Sequence, residues 1–232
     1  MKRFYKDAQA VPETGGWAIR LDGRGVKTPA RAALAVPGKA LAEAIAQEWR
    51  GQGETIDPAT MPLTGFANAT IDQVLPALAT FRGQIAAYAA SDLLCYRADD
   101  PAELVARQAA LWDPLLEWAR GRYDVSFLVT GGIMPVEQPA TTSARLRGAV
   151  EALDPWQLAG AAVLTQIGGS LVGMLAFLEG RVEAEALFDA TSLDEIWQAE
   201  QWGEDVEAAA RMAVRRADFL NAARYCGLVK EN

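Results

Sequence analysis

Residues 192–226 read SLDEIWQAEQWGEDVEAAARMAVRRADFLNAARYC, a run whose pattern predicts one long helix for the rest of the chain to pack against. Ser192, with Glu195 three residues on, is the pattern of a capping box, in which hydroxyl and carboxylate would satisfy the helix-start N–H groups reciprocally. Asp194 and Glu195 put negative charge at the positive end of the helix dipole, and Arg215, Arg216 and Arg224 lie toward the other end. Ala199, Trp202, Val206, Ala209, Ala213, Ala217, Leu220 and Ala223 recur at spacings of three and four, which makes one apolar stripe. The register survives Gly203, so the spacing predicts a single helix. A bend at Gly203 is the alternative, since Gly inside a helix costs about 1 kcal/mol relative to Ala. Gly227 can supply the left-handed residue that ends it. Trp197, Glu200 and Glu204 share another face, and the start of the helix has two readings: a cap, or a contact patch in which Trp stands beside charge.

The N-terminal part is organised differently. Residues 3–11 read as extended, with Phe4 and Tyr5 favouring a strand. Residues 17–21 and 24–28 flank Asp22-Gly23, a pair that allows the positive φ of a tight hairpin turn. Residues 34–36 add a short strand. Pro37 then opens a helix running to Trp49, with Leu41, Ile45 and Trp49 on one face. From residue 56 the period turns helical, with helices expected over 64–74, 76–94, 101–123 and 142–153. Asp113-Pro114 either kinks the third or starts a new one. Gly131-Gly132 makes residues 127–135 a loop or short hairpin. The fold class is therefore α+β: a small N-terminal α/β domain over 1–56 with an antiparallel sheet, then a larger helical domain over 57–232.

Residues 155–178 contain no charged side chain, and about 20 apolar residues suffice to span a bilayer. Gln157, Thr165, Gln166 and Ser170 interrupt the run, and Gly168-Gly169-Ser170 reads as a break between two buried helices. The chain is therefore not membrane-embedded. Gly169 and Gly173 are spaced to let another backbone, such as the final helix, cross closely.

Composition excludes several function classes. The 232 residues are 51% hydrophobic, which supports a packed core, and the net charge of −8 argues against nucleic acid, whose phosphates need a basic face. Cys95 and Cys226, far apart and outside any CxxC, read as reduced core thiols. The start, MKRFYKDAQAVPE, carries no export or organelle signal pattern. The chain has no histidine, which removes the commonest general base, the usual nucleophile triads and the usual zinc sites together. Gly38-Lys39 is not a phosphate loop, and Gly23-x-Gly25 lacks a third glycine. The acidic pairs Asp99-Asp100, Asp194-Glu195 and Glu204-Asp205 match no calcium loop, so no cofactor or metal is expected. Lys2, Arg3 and Lys6 read either as a face for an acidic partner or as charge protecting an edge strand.

MKRFYK at residues 1–6, LDGRGVKTP at 21–29, EWRGQG at 48–53, MPLT at 61–64, LLCYRA at 93–98, QAALWDPLLEW at 108–118 and SLDEIWQAEQWG at 192–203 together resemble the assembly chaperones of the ATP synthase α subunit. The resemblance implies a non-enzymatic protein that holds the unassembled α subunit of the F-type catalytic head until the β subunit takes its place. It implies a small α/β domain followed by a helical one. It places the family's functionally required glutamate of LDE-x-x-Q at Glu195 and its sensitive tryptophan at Trp49, the latter structural. Trp197 and Glu200 join Glu195 as expected contacts. The expected setting is the bacterial cytoplasm, as a monomer. The competing class is a carboxylate-dependent enzyme or a nucleotide-binding protein.

Overall fold

The computed structural model describes residues 1–132 and 134–231. Strand β1 (Ala8–Glu13) and strand β2 (Gly16–Leu21) pair antiparallel, from Ala8 opposite Leu21 to Glu13 opposite Gly16. β3 (Arg24–Gly25) and β4 (Ala35–Val36) share the other edge of β2. Between β2 and β3, Asp22 and Gly23 both have positive φ, 48° and 79°, which is the primed turn expected from the sequence. The Asp22 carboxylate accepts from the backbone N–H groups of Lys6 and Asp7, and these bonds hold its carboxyl below the usual carboxylate range.

Residues 3–7 are not part of the strand, which begins at Ala8. Instead Lys2 bridges Thr55, and the Arg3 N–H donates to Glu54 O at 2.8 Å. The Arg3 guanidinium donates to the carbonyls of Tyr5, Lys6, Arg50 and Gln52 and lies over the Tyr5 ring. The most committed cation of the N-terminal basic cluster therefore ties its own backbone together.

Helix α1 (Lys39–Arg50) packs on β1 and β2 and buries Leu41, Ala42, Ile45 and Ala46. Trp49 lies half-buried at its end, against the cluster of Tyr5, Ala8, Leu21, Ile56 and Met61, with its ring edge-on to Tyr5 at 5.7 Å. Glu48, beside it, accepts from the N–H groups of Leu63 and Thr64 and from the Thr64 hydroxyl. The last turn of α1 thus caps the start of α2 (Pro62–Ala69), which has no local cap of its own. The chain stays helical beyond α2. A π turn over Thr70–Val74 and a 3-10 turn over Leu75–Ala77 lead directly into α3 (Leu78–Ala87), so the two separate helices expected here are one run. Pro76 lacks a donor, and the change of helix type absorbs it.

β5 (Tyr96–Arg97) precedes α4 (Ala102–Tyr123), which passes through Asp113-Pro114 without ending. α4 buries Leu104, Gln108, Trp112, Leu115, Leu116 and Ala119 and leaves Leu111 exposed. Trp112 anchors this register by donating its indole N–H to Ala190 O at 2.7 Å. β6 (Thr130–Gly131) pairs parallel with β5, so among the described residues the 127–135 segment takes the loop reading; residue 133 lies outside them. α5 (Ala140–Glu151) follows.

The uncharged run forms α6 (Leu158–Gly168) and α7 (Leu171–Leu178), of 11 and 8 residues. Gly169 at φ 64° separates them, and Ser170 caps α7 by accepting from the Gly173 N–H. Among the described residues no helix is long and apolar enough to cross a membrane. The chain ends in α8 (Ala184–Thr191), α9 (Leu193–Trp202) and α10 (Val206–Lys230). The close crossing of the final helix falls at Gly160, where a Cβ would meet Ala222 O at 2.9 Å and Cys226 Sγ at 2.5 Å. Gly173 faces Leu187 of α8 instead.

Two compact units result. One is Met1–Leu78 with Asp154–Gly160 and Asn221–Asn232; the other is Ala79–Leu153 with Ala161–Leu220. Compactness therefore divides the chain differently from the sheet-to-helix change expected near residue 56, and α10 contributes to both units. The fold class is α+β, a small antiparallel sheet followed by a mostly helical remainder with a long final helix.

Candidate partner-binding surface

The single helix expected over 192–226 is two. Gly203 has φ 90° and ψ 157°, a conformation essentially restricted to glycine, and it ends α9. Asp205 then caps α10, its carboxylate accepting from the Ala208 N–H at 2.8 Å. The capping box does not form: Ser192 makes no side-chain cap bond, and its buried hydroxyl has no partner. α10 also runs through Gly227 to Lys230 rather than stopping there.

The break resets the register. α9 buries Leu193 and Trp197, and Trp197 is only 7% exposed. Trp197, expected as a contact residue, thus packs into the core in this structure. Trp202, expected in the buried stripe, is 79% exposed, and Val206 is 83% exposed. Along α10 the buried residues are Phe219, Ala222, Ala223, Tyr225, Cys226 and Val229, whereas Ala199, Ala213 and Ala217 of the expected stripe are exposed.

Side-chain bonds fasten α9 in place. Gln108 of α4 donates to Asp194 at 2.7 Å. Arg107 donates to both Glu200 oxygens, at 2.5 and 3.2 Å, while lying 5.3 Å from the Trp197 ring centroid. That bidentate bond holds the Glu200 carboxyl below the usual range. Glu195 is half-exposed and pairs with Arg215 of α10 at 2.6 Å. Glu195, Trp197 and Glu200 are therefore brought together on one short helix, with Glu195 and Glu200 each neutralised by a named arginine. Trp49 belongs to the other compact unit.

Around the Gly203 turn, α9 and α10 enclose an open groove of about 720 Å³. Ile196, Ala199, Ala208, Ala209 and Met212 make its apolar floor, with Trp202 at its mouth and Glu195, Glu200, Glu204 and Asp205 about its edge. The sequence carried the signal for this turn in Gly203 followed by a capping Asp205, but the unbroken apolar spacing across it masked the stop. Arg107 and Arg215, the partners that position the carboxylates, lie 93 and 20 residues from them, and no local pattern points to either.

The family model described as ATP12 chaperone protein matches residues 2–120. The crystal structure of Atp12 from Paracoccus denitrificans is 40% identical and superposes with a TM-score of 0.95, covering 98% of this chain and 98% of that one. A mutant of the same Paracoccus protein gives 39% identity and the same TM-score, over 98% of this chain and 97% of that one. The mitochondrial protein atp12 of Schizosaccharomyces pombe is 27% identical over 217 residues, 87% of this chain and 74% of its own length. With a family match over half of the chain and a related structure superposing along nearly all of it, this protein belongs to the ATP12 family, chaperones of ATP synthase assembly and not enzymes.

Proposed function

We propose that this chaperone binds the unassembled α subunit of the F-type catalytic head and shields it from aggregation until the β subunit replaces it. The observation that carries this reading is the exposure of Trp202 and Val206 beside the carboxylates of the α9–α10 turn. A large apolar side chain left open on a rigid, charged turn suits a protein whose work is to cover another protein's interface. Glu195 is the central polar contact, on the strength of its LDE-x-x-Q setting and its half-exposed carboxylate. The chaperone acts as a monomer in the bacterial cytoplasm, without a cofactor.

A chaperone of this kind must grip a surface that the partner subunit later covers, and such interfaces are large. Isolated α and β subunits and the assembled catalytic head, each offered separately to the tagged chain, test this. Retention of free α, with β and the assembled head passing through, is the expected result. Equal retention of the assembled head would show that the surface bound is not the subunit interface.

A further inference from the structure

The α9–α10 groove combines two chemistries. Its floor and mouth are apolar, through Ile196, Ala209, Met212 and Trp202, and its edge is acidic. The acids fall into two classes. Glu195 and Glu200 are already paired, with Arg215 and Arg107. At the tip, Glu204 has no cationic partner among the described residues, and Asp205 accepts only the Ala208 N–H there.

An occupant that covers the apolar floor also takes water from these tip carboxylates, and a carboxylate that loses water needs a compensating charge or hydrogen bond. An anionic membrane or an acidic peptide would oppose like charges. A second copy of this chain meeting the same surface would set its own tip carboxylates against these, because a two-fold interface is self-facing. The turn is also preformed: Gly203 in its glycine-restricted conformation, the Asp205 cap and the Glu195–Arg215 pair fix it before anything binds. A trough between two helices suits a third helix that presents apolar residues at every third or fourth position.

We propose that this groove takes a basic amphipathic helix of the client, its aliphatic stripe against Trp202, Ala209 and Met212 and its Lys or Arg side chains against Glu204 and Asp205. This rests on the client-binding reading above, to which it adds the chemistry of the segment held.

The probes are two labelled synthetic helical peptides with leucine on one face, one carrying lysine and the other glutamate on the opposite face. Each is titrated against the full chain by fluorescence anisotropy. The lysine peptide is expected to bind, more weakly as salt is raised, and the glutamate peptide not to bind. Trp202→Ser should weaken the lysine peptide by about tenfold or more. Glu204→Lys should weaken it and flatten its salt dependence. Both positions are exposed, so melting is expected to stay near wild type and to certify the fold. Equal binding of both peptides, or unaltered binding by these variants, would overturn the inference. So would a dimer of the chain alone that Trp202→Ser disperses, because the occupant would then be a second copy. A parallel pull-down of free α separates this inference from the one beneath it. If Trp202→Ser retains α fully, the groove assignment fails and the chaperone reading stands. If the groove binds the lysine peptide through Trp202 and free α is not retained, the client reading fails and the groove chemistry stands.

Discussion

Trp49 closes α1 with its ring against Tyr5 and its indole N–H buried without a partner. Trp49→Arg removes that ring from the Tyr5 cluster and presses a guanidinium into its place. The loss should be about 3 kcal/mol, at the low end for a buried tryptophan because Trp49 is half-buried. Thermal melting reads this directly, and an unchanged midpoint would mean that the cluster does not depend on Trp49. Glu195→Lys should behave in the opposite way. It breaks an exposed pair with Arg215, a type of bond that contributes roughly 0–1 kcal/mol, so the variant stays folded with slightly earlier melting. If Glu195 contacts the α subunit, charge reversal should cut binding about a hundredfold. Melting and α binding measured on one preparation separate the two effects, and a folded variant with full binding moves the contact away from Glu195.

Asp92 illustrates what an element demands of one residue. It is 1% exposed, accepts from the Leu94 N–H, and reaches the Val172 N–H at the start of α7, 80 residues away in sequence. Burial outweighs these bonds and raises its carboxyl to about 6. A folded value above the unfolded one means the native state holds the proton more tightly. The associated stability is full below about pH 4 and is lost as the pH rises through 6. Asp92→Asn should therefore destabilise more at pH 4.5 than at pH 7, by about 2 kcal/mol. Melting of both proteins at the two pH values checks the sign, and an identical gap at both would discount the titration. Gly203 sets a second element. Beyond its chain neighbours, no heavy atom lies within 4 Å of a Cβ added there, so Gly203→Ala tests backbone conformation alone. It should cost about 1–3 kcal/mol, read as faster amide exchange at the end of α9 and the start of α10. Unchanged exchange there would mean the turn tolerates another conformation.

Across the whole molecule, what could be read from sequence was what is decided within a few residues. The Asp22-Gly23 turn, the buried face of α1 and the break at Gly169-Ser170 each follow from φ sterics, apolar period or a local cap. The sequence by itself determined the α+β order, the lack of any histidine-based chemistry and the resemblance that led to the family. Only the tertiary structure decided which side of the last two helices is buried. Alanine removes little area from water, so an alanine stripe fits core and surface almost equally, and the larger Phe219, Tyr225 and Val229 took the inner face. Tertiary structure likewise put Trp197 inside and Trp202 outside, because packing of α9 on α4 fixes one register and Gly203 frees α10 to take another. It also supplied the distant partners, Glu48 for α2, Asp92 for α7 and Arg107 for Glu200. Such pairs form because a buried or helix-terminal polar group must be satisfied by whatever the fold brings near, and that choice is made in space and not along the chain.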